Sequence, residues 1–488
     1  MHVVLWDTRR NDIQKDFAGG LGMGLYSGQG GARGRQIRRW FMRDYRPVAM
    51  NFAFLAAIFK RLGHTVEYSL DEVPTADLYI FNPGLITLGL EIAEMKKILQ
   101  KNPSAQIIVT GKTAYALAEA FAGINVKIAK GEAEQLLWKL DDVLNSDQQV
   151  VDVGTVQDLN QLPYCDWSLF SYKKFSAKFD FTRFPTAYIQ QSRGCTFTCN
   201  YCPYIIIENK TRFRDPELVA DEIRYQSEKL GFRSFKFRDP LFGLDRKRAL
   251  KMAEEVRKLP RKVQFSIEGR IDLLHEEVLR ELKSAGLTSI TVGVESPDAE
   301  KLKRYKRPPI QDQKQRDFIR LTRRLGLRTV CQFLVGFPED TKDSILNVLH
   351  YARVLNPTVA NFNVVTPYPG TEFFGKVKDQ IAHFDFSKYN EYTPVMKYHH
   401  LTADQVAEYH SKCFTKYYFR SRWLKENAHL LWPVLQRFGI GLGPGKNESN
   451  DPEFEVEATT PAPTLSLPIV DLAEVSNCES SGLQRRAA

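Results

Sequence analysis

No run in this chain approaches the roughly 20 consecutive apolar residues that a membrane-spanning helix needs. The longest candidate, Val48 to Phe59, is interrupted and too short. A basic start followed by an apolar middle, the mark of a secretory leader, is also missing. The opening Met1-His2-Val3-Val4-Leu5-Trp6 runs straight into Asp7 and Arg9, and it reads as a first strand. A cytoplasmic location is the expectation. Cysteine is scarce and odd in number, at seven. In a long chain this argues against a disulfide framework. No internal repeat is visible beyond an alternation of strands and helices.

The 488 residues are too many for one ordinary core, so two or three domains are expected. Hydrophobic residues at 43% and charged residues at 26% fit an ordinary globular protein. The formal net charge is +10. From Asp451 onward seven acidic and two basic residues carry −5, which leaves +15 on the rest. A basic body can meet nucleic acid, an anionic lipid surface or phosphorylated substrates, and charge alone does not choose among them.

The pattern is α/β. Short apolar segments at His2–Trp6, Thr65–Leu70, Asp77–Asn82, Gln106–Gly111 and Val126–Gly131 read as strands. Helical patterns such as Leu88–Gln100 and Glu132–Leu144 lie between them. This predicts an N-terminal Rossmann-like parallel-sheet domain over residues 1–150. Residues 151–185 read as a linker. A second series of strands follows at Thr186–Gly194, Ser234–Pro240, Lys262–Arg270, Ser289–Ser296, Arg328–Gly336 and Val359–Pro367. Six βα units over residues 186–375 suggest a partial (βα)6 barrel, with chemistry at the C-terminal strand ends. A helical C-terminal region is expected over 376–442. The tail, 443–488, contains Thr-Pro-Ala-Pro and many small polar residues, and is expected to be disordered.

At the end of the first barrel strand the chain reads Gln191-Ser-Arg-Gly-Cys195-Thr-Phe-Thr-Cys199-Asn-Tyr-Cys202-Pro203. Three thiols within eight residues can wrap a compact metal centre, and thiolates suit zinc or iron–sulfur clusters. A structural zinc needs a fourth ligand, and no Cys or His lies nearby in sequence to provide one. A [4Fe–4S] cluster held by three cysteines keeps one iron open for a small molecule.

Cys-x3-Cys-x2-Cys in this context resembles the radical S-adenosylmethionine (radical SAM) superfamily. The resemblance implies a [4Fe–4S] cluster on Cys195, Cys199 and Cys202, with S-adenosyl-L-methionine on the open iron. Reductive cleavage would then give a 5′-deoxyadenosyl radical. It further implies that Tyr201 packs near the adenine. Asp239 lies in the polar patch of the second strand, within Arg238-Asp239-Pro240-Leu241-Phe242. Glu268 and Arg270, in Phe265-Ser-Ile-Glu268-Gly-Arg270, match the third strand, whose arginine reaches the cofactor carboxylate. Glu295 and Ser296, in Gly293-Val294-Glu295-Ser296, match a fourth-strand motif that binds the ribose or amino-acid end. Gly336-Phe337-Pro338 and Thr366-Pro-Tyr-Pro-Gly-Thr371 look like the last two strand ends. Each of these polar groups can equally be a buried side chain that satisfies a strand end. The resemblance covers roughly residues 185 to 375.

In the first domain, Val109-Thr110-Gly111-Lys112-Thr113 has the tail of a phosphate-binding loop. Gln106 stands where its first glycine belongs, so that reading fails. Asn82-Pro83-Gly84, Thr110-Gly111-Lys112 and Gly131-Glu132-Ala133-Glu134 instead resemble the cobalamin-binding domain of one radical SAM subfamily. Thr110, Gly111, Gly131 and Glu132 are then the cobalamin-binding candidates, with glycines letting backbone approach the flat corrin. Lys112 replaces that pattern's second glycine. The cobalt-ligating Asp-x-His-x-x-Gly is absent, and the lone His64 reads as a surface residue. Eight glycines between Gly19 and Gly34, followed by Arg35, Arg38, Arg39, Arg43 and Arg46, form either a loop over the cofactor gap or a solvated one.

The resemblance implies radical chemistry on an unactivated C–H bond. With cobalamin, methylation of an unactivated carbon is the leading outcome; cyclisation or rearrangement, as in a porphyrin-ring cyclase, is the alternative. A non-catalytic iron–sulfur electron carrier and a zinc-dependent RNA-binding module are readings of other classes. No nucleic-acid partner is expected. A small-molecule substrate and an external electron donor such as flavodoxin or ferredoxin are. Aromatic and basic residues interleave from Lys416 to Lys425 and from His429 to Phe438. They suggest a lipid-like, largely apolar substrate and peripheral membrane contact. The competing reading packs that aromatic stripe against the barrel. The residues name no catalytic acid or base.

Overall fold

The computed structural model describes residues 1–8, 15–16, 23–24, 50–175, 185–207 and 210–427. The glycine- and arginine-rich segment from 25 to 49, the stretch from 428 to 438, the tail and Cys478 lie outside the described residues.

Two six-stranded parallel sheets organise residues 1–427. The first is built from β1 (His2–Asp7), α1 (Met50–Arg61), β2 (Thr65–Leu70), β3 (Leu78–Phe81), α2 (Leu88–Lys101), β4 (Gln106–Val109), α3 (Lys112–Ala116), β5 (Lys127–Gly131), α4 (Leu136–Asn145) and β6 (Val150–Gly154). Its order is β2-β1-β3-β4-β5-β6, parallel throughout. β1 and β3 are buried on both faces, which is why Val3-Val4-Leu5-Trp6 and Leu78-Tyr-Ile-Phe81 carry no alternation. The order reverses at β1, and in open α/β sheets ligands enter at the carboxyl ends beside such a point.

The second sheet comprises β7 (Thr186–Ile189), α5 (Pro216–Lys229), β8 (Ser234–Phe237), α6 (Arg246–Arg257), β9 (Gln264–Gly269), α7 (Glu276–Ala285), β10 (Leu287–Glu295), α8 (Ala299–Arg304), α9 (Asp312–Arg324), β11 (Arg328–Val335), α10 (Lys342–Leu355) and β12 (Val359–Val364). Each strand pairs with the next in sequence. Among the described residues β7 and β12 do not pair, so the barrel is open. Both expected parallel sheets are present.

The strand Val150–Gly154 was not expected, and it crosses the boundary drawn at 150. Residues beyond it are not a loose linker either: Cys165, Trp167 and Phe170 are buried in a core that also holds side chains of both sheets.

The C-terminal region contributes α11 (Glu372–Lys376) and α12 (Ala403–Tyr418). Between them the chain is largely irregular. Thr402 and Gln405 form a capping box that starts α12. The aromatic stripe expected at a membrane surface turns inward: Tyr417, Tyr418 and Trp423 are buried. Tyr418 Oη donates to Ala360 O at 2.8 Å, and Trp423 Nε1 to Thr358 O at 3.0 Å. Rings that satisfy the sheet edge cannot also lie at headgroup depth. In residues 416–425 these three rings follow the packing reading, while Phe419 and Leu424 stay exposed. No helix among the described residues is long and apolar enough to cross a membrane.

Candidate active site

β7 ends at Ile189. The chain then forms a two-residue antiparallel ribbon, Ser192–Arg193 with Arg212–Phe213. Gly194 turns it with φ +88°, and a Cβ there would lie 2.2 Å from Lys210 O. The cysteine loop hangs from this turn, with Cys195 and Cys199 buried and Cys202 partly so. Cys202 N donates to Cys199 O at 3.0 Å. Asn200 N donates to Tyr305 O and Asn200 O accepts from Phe373 N, so two later segments clamp the loop. Burial pushes the Cys202 thiol up to about 12 and also raises Cys195. Metal binding displaces those protons.

Two guanidinium groups face the thiols. Arg307 Nη1 lies 4.0 Å from Cys199 Sγ. Arg270 stacks on Phe197, inside the loop, with its guanidinium carbon 4.3 Å from the ring centroid. Arg270 Nε and Nη2 are held by Asp272 at 3.0 Å, while its buried Nη1 has no hydrogen-bond partner. Tyr201 Oη and Gln191 Oε1 are likewise buried without one. Two of these buried, unmatched polar atoms, on Arg270 and Tyr201, lie close enough to the thiols to interact with them, and they call for a polar guest. Among the described residues no three His, Cys, Asp or Glu side chains converge as a single-ion site requires.

The other strand-end candidates divide. Glu295 ends β10 at φ +64° with its carboxylate 3.2 Å from Arg307, and burial raises its pKa. It faces the cysteine loop. Ser296 Oγ accepts from Asp298 N at 3.2 Å and so shapes the start of α8. Asp239 is fully buried and accepts from Gln191 N at 3.2 Å and Ser192 Oγ at 2.5 Å. It braces the strand that leads to the loop, and burial holds its carboxyl up to about 7. Burial would raise Glu268 too, but Arg238 at 2.8 Å and Lys236 at 3.2 Å bring it below its ordinary value. Tyr201 lies in an aromatic cage with Tyr305 and Phe337, each centroid 6.4 Å away.

A cleft with roughly 1060 Å³ of empty space, open to solvent, lies where the C-terminal ends of both sheets meet. Asn82, Gly111, Lys112, Gly131 and Glu132 line it from the first sheet; Tyr188, Gln190, Arg193 and Arg238 line it from the second. Of the corrin-site candidates, Gly111, Gly131 and Glu132 face this cleft. The reason for each glycine lies in the chain itself: a Cβ on Gly111 would come 2.2 Å from Asn82 Oδ1, and one on Gly131 2.2 Å from Gly154 O. Thr110 is fully buried and donates to Phe81 O at 3.1 Å. Glu132 binds Arg212 at 2.7 Å and Arg193 at 3.4 Å. Lys112 crosses the cleft and donates to Pro203 O at 3.1 Å and Tyr204 O at 3.2 Å, just past Cys202. His64 is not among the lining residues.

Residues 189–352, from the end of β7 into α10, match the model of the radical SAM superfamily. These residues form a radical SAM domain. Such a domain carries a [4Fe–4S] cluster and S-adenosylmethionine, and the cysteine loop with its unmatched polar atoms fits both. The chain is 28% identical over 333 residues to the anaerobic magnesium-protoporphyrin IX monomethyl ester cyclase of Cereibacter sphaeroides, a match covering 67% of this chain and 53% of the cyclase. It is 25% identical to an uncharacterized methyltransferase of Pyrococcus horikoshii, over 60% of this chain and 68% of that protein. It is 26% identical to the hopanoid C-3 methylase of Methylococcus capsulatus, over 48% and 44%. The chain thus spans about half the length of the cyclase and less than half of the methylase. In fold it is similar to TsrM of Kitasatospora setae, a radical SAM methyltransferase solved with cobalamin and a [4Fe–4S] cluster. That likeness has a TM-score of 0.58 and 15% identity, covering 78% of each chain. The cobalamin-dependent radical SAM enzyme OxsB gives 0.59 and 14%, covering 90% of this chain and 69% of that one.

Sequence reasoning missed Arg307, and it gave Lys112 and Arg238 no partner. Each meets its partner across 30 to 108 residues of chain. The only local signal is basic character beside the expected motifs.

Proposed function

We propose that this chain is a cobalamin-dependent radical SAM methyltransferase acting on an unactivated carbon of a large, largely apolar substrate. The observation that carries the reading is the cleft between the two sheets: three of the corrin-site candidates, Gly111, Gly131 and Glu132, line it together with Gly194 and Tyr204, which flank the cysteine loop. Bound together, the cluster and S-adenosylmethionine supply a hydrogen-abstracting radical, and cobalamin supplies a methyl group. The chain's own residues hold and orient these groups. Cys195, Cys199 and Cys202 take the irons; Arg270, through its free Nη1, and Glu295 take the polar end of S-adenosylmethionine; Tyr201 packs on its adenine. Gly111, Gly131 and Glu132 shape the corrin side of the cleft. An external donor such as flavodoxin or ferredoxin reduces the cluster. The apolar substrate is supported by relatives named for a hopanoid and a porphyrin ester.

Protein prepared anaerobically with hydroxocobalamin should retain a corrin absorbance band through gel filtration. Under reduction it should release 5′-deoxyadenosine and transfer label from methyl-labelled S-adenosylmethionine to a small molecule of cell extract. Release of 5′-deoxyadenosine without corrin retention would favour the second reading, a radical cyclase, which the similarity to the cyclase supports. Absence of both would leave an electron carrier.

A further inference from the structure

Arg307 follows α8 and is largely buried, its side chain 11% exposed. Its Nη2 donates to Gly293 O at 2.6 Å and lies 3.2 Å from Glu295 Oε1, while Nη1 points at Cys199 Sγ, 4.0 Å away. A Cβ on Gly293 would come 2.7 Å from Nη2, so the strand keeps a glycine where the guanidinium crosses. Only the planar fork of an arginine places one arm on a sulfur and the other on a backbone carbonyl and a carboxylate.

We infer that Arg307 is a positioning residue that tunes the cluster: it hydrogen-bonds the Cys199 sulfur and sets the cluster's reduction potential, while holding Glu295 in place. This rests on the proposed cluster at Cys195, Cys199 and Cys202. Reduction adds one electron to an already anionic centre. A donor and a fixed positive charge at a ligand sulfur stabilise the reduced form more than the oxidised form, because hydrogen bonds to sulfur and net charge set such potentials. In a water-poor pocket the effect is weakly screened. Glu295 lies on the far side of the guanidinium and stops Arg307 from turning away, so the sulfur contact is directional as well as electrostatic.

The test is an anaerobic redox titration of the full-length, iron-loaded protein, followed by electron paramagnetic resonance, with iron counted in each sample. Arg307→Gln should lower the reduced-to-oxidised ratio at fixed potential at least tenfold, equal to a 59 mV downward shift for one electron. Arg307→Lys, which keeps the charge and loses the fork, should shift it part of the way. Arg304→Gln removes the same charge from an exposed side chain bound to Glu339, and should leave the midpoint unchanged. If Arg307→Gln loads about four irons and its midpoint does not move, the inference is wrong and the cluster reading stands. If Arg304→Gln shifts the midpoint equally, net charge is responsible and the inference is again wrong. If Arg307→Gln cannot hold iron, Arg307→Lys decides by the same criterion. Failure of the unaltered chain to take up iron overturns the cluster reading, and the inference with it.

Discussion

A thiol buried in protein stays protonated until a metal takes the proton's place, so the three loop cysteines and the remaining buried ones should respond differently to substitution. Cys331 and Cys413 are fully buried among core side chains, and burial raises both thiols. Replacing Cys195, Cys199 or Cys202 with Ala should lower iron from about four per chain to well below one, as read by iron analysis and visible absorbance. Cys331→Ala and Cys413→Ala should leave iron unchanged. Stoichiometric zinc in the unaltered protein would contradict this assignment. Glu132 gives a second residue-scale prediction. Burial alone would raise its carboxyl, but Arg193 and then Arg212 bring it down to about 2. A carboxyl depressed on folding contributes stability above its ordinary value of 4.5, and that contribution is lost as pH falls towards 2. Glu132→Gln leaves Arg212 partly unpaired and should cost about 3 kcal/mol near neutrality. In urea titrations at several pH values, the gap between the two proteins should close between pH 4.5 and 2. A gap independent of pH would show that Glu132 acts by shape alone.

At the scale of elements, α12 and the helical residues 421–427 act as a strap on the barrel edge. Tyr417 reaches backbone at Pro357, just before β12, and Tyr418 reaches Ala360 within it, while Arg420 Nη2 donates to Asn356 Oδ1 at 2.8 Å. Trp423→Ala should therefore cost about 3–5 kcal/mol, read as a lowered urea midpoint. Tyr418→Phe should cost about 1 kcal/mol. A neutral Trp423→Ala would mean that the strap is not part of the folded core. This strap marks where sequence legibility ends. The strands of both sheets were readable because each is a short apolar run between turn residues, and the cysteine spacing was readable because its chemistry is local. Whether Tyr417 and Trp423 faced lipid or sheet was not, since the same stripe serves either partner. Val150–Gly154 escaped because it is short, sits at a sheet edge and carries Asp152. Asp239 was placed correctly at a strand end, yet its oxygens turn to Gln191 and Ser192, a choice made by the packing of β7 against β8. Arg307 stayed hidden because nothing near it in sequence announces Cys199.

For residues 1–427 as a whole, the question is whether the two sheets unfold apart or together. Their facing ends are tied by Lys112 to Pro203 and Tyr204, and by Glu132 to Arg212. Their opposite side is tied by the segment after β6. There Asp166 N donates to Ala53 O at 3.0 Å, and its carboxylate binds Lys60 at 2.6 Å, both on α1. Cys165 N donates to Glu222 on α5 at 2.8 Å. Between these anchors Trp167, fully buried, packs edge-on against Phe170, Phe175 and Phe232, so that one ring joins the connecting segment to the barrel half. Side chains of α1, the 159–170 segment and the barrel strands form one continuous apolar core. When the interface between two sheets is itself core, exposing it costs as much per unit area as opening either sheet, and partial unfolding gains little. Urea unfolding followed by tryptophan fluorescence and by far-ultraviolet circular dichroism should therefore give coincident single transitions. Trp167→Ala should lower the midpoint by about 3–5 kcal/mol of stability without splitting the curve. Two separated transitions in the unaltered protein would show that the sheets are independent folding units without a common core.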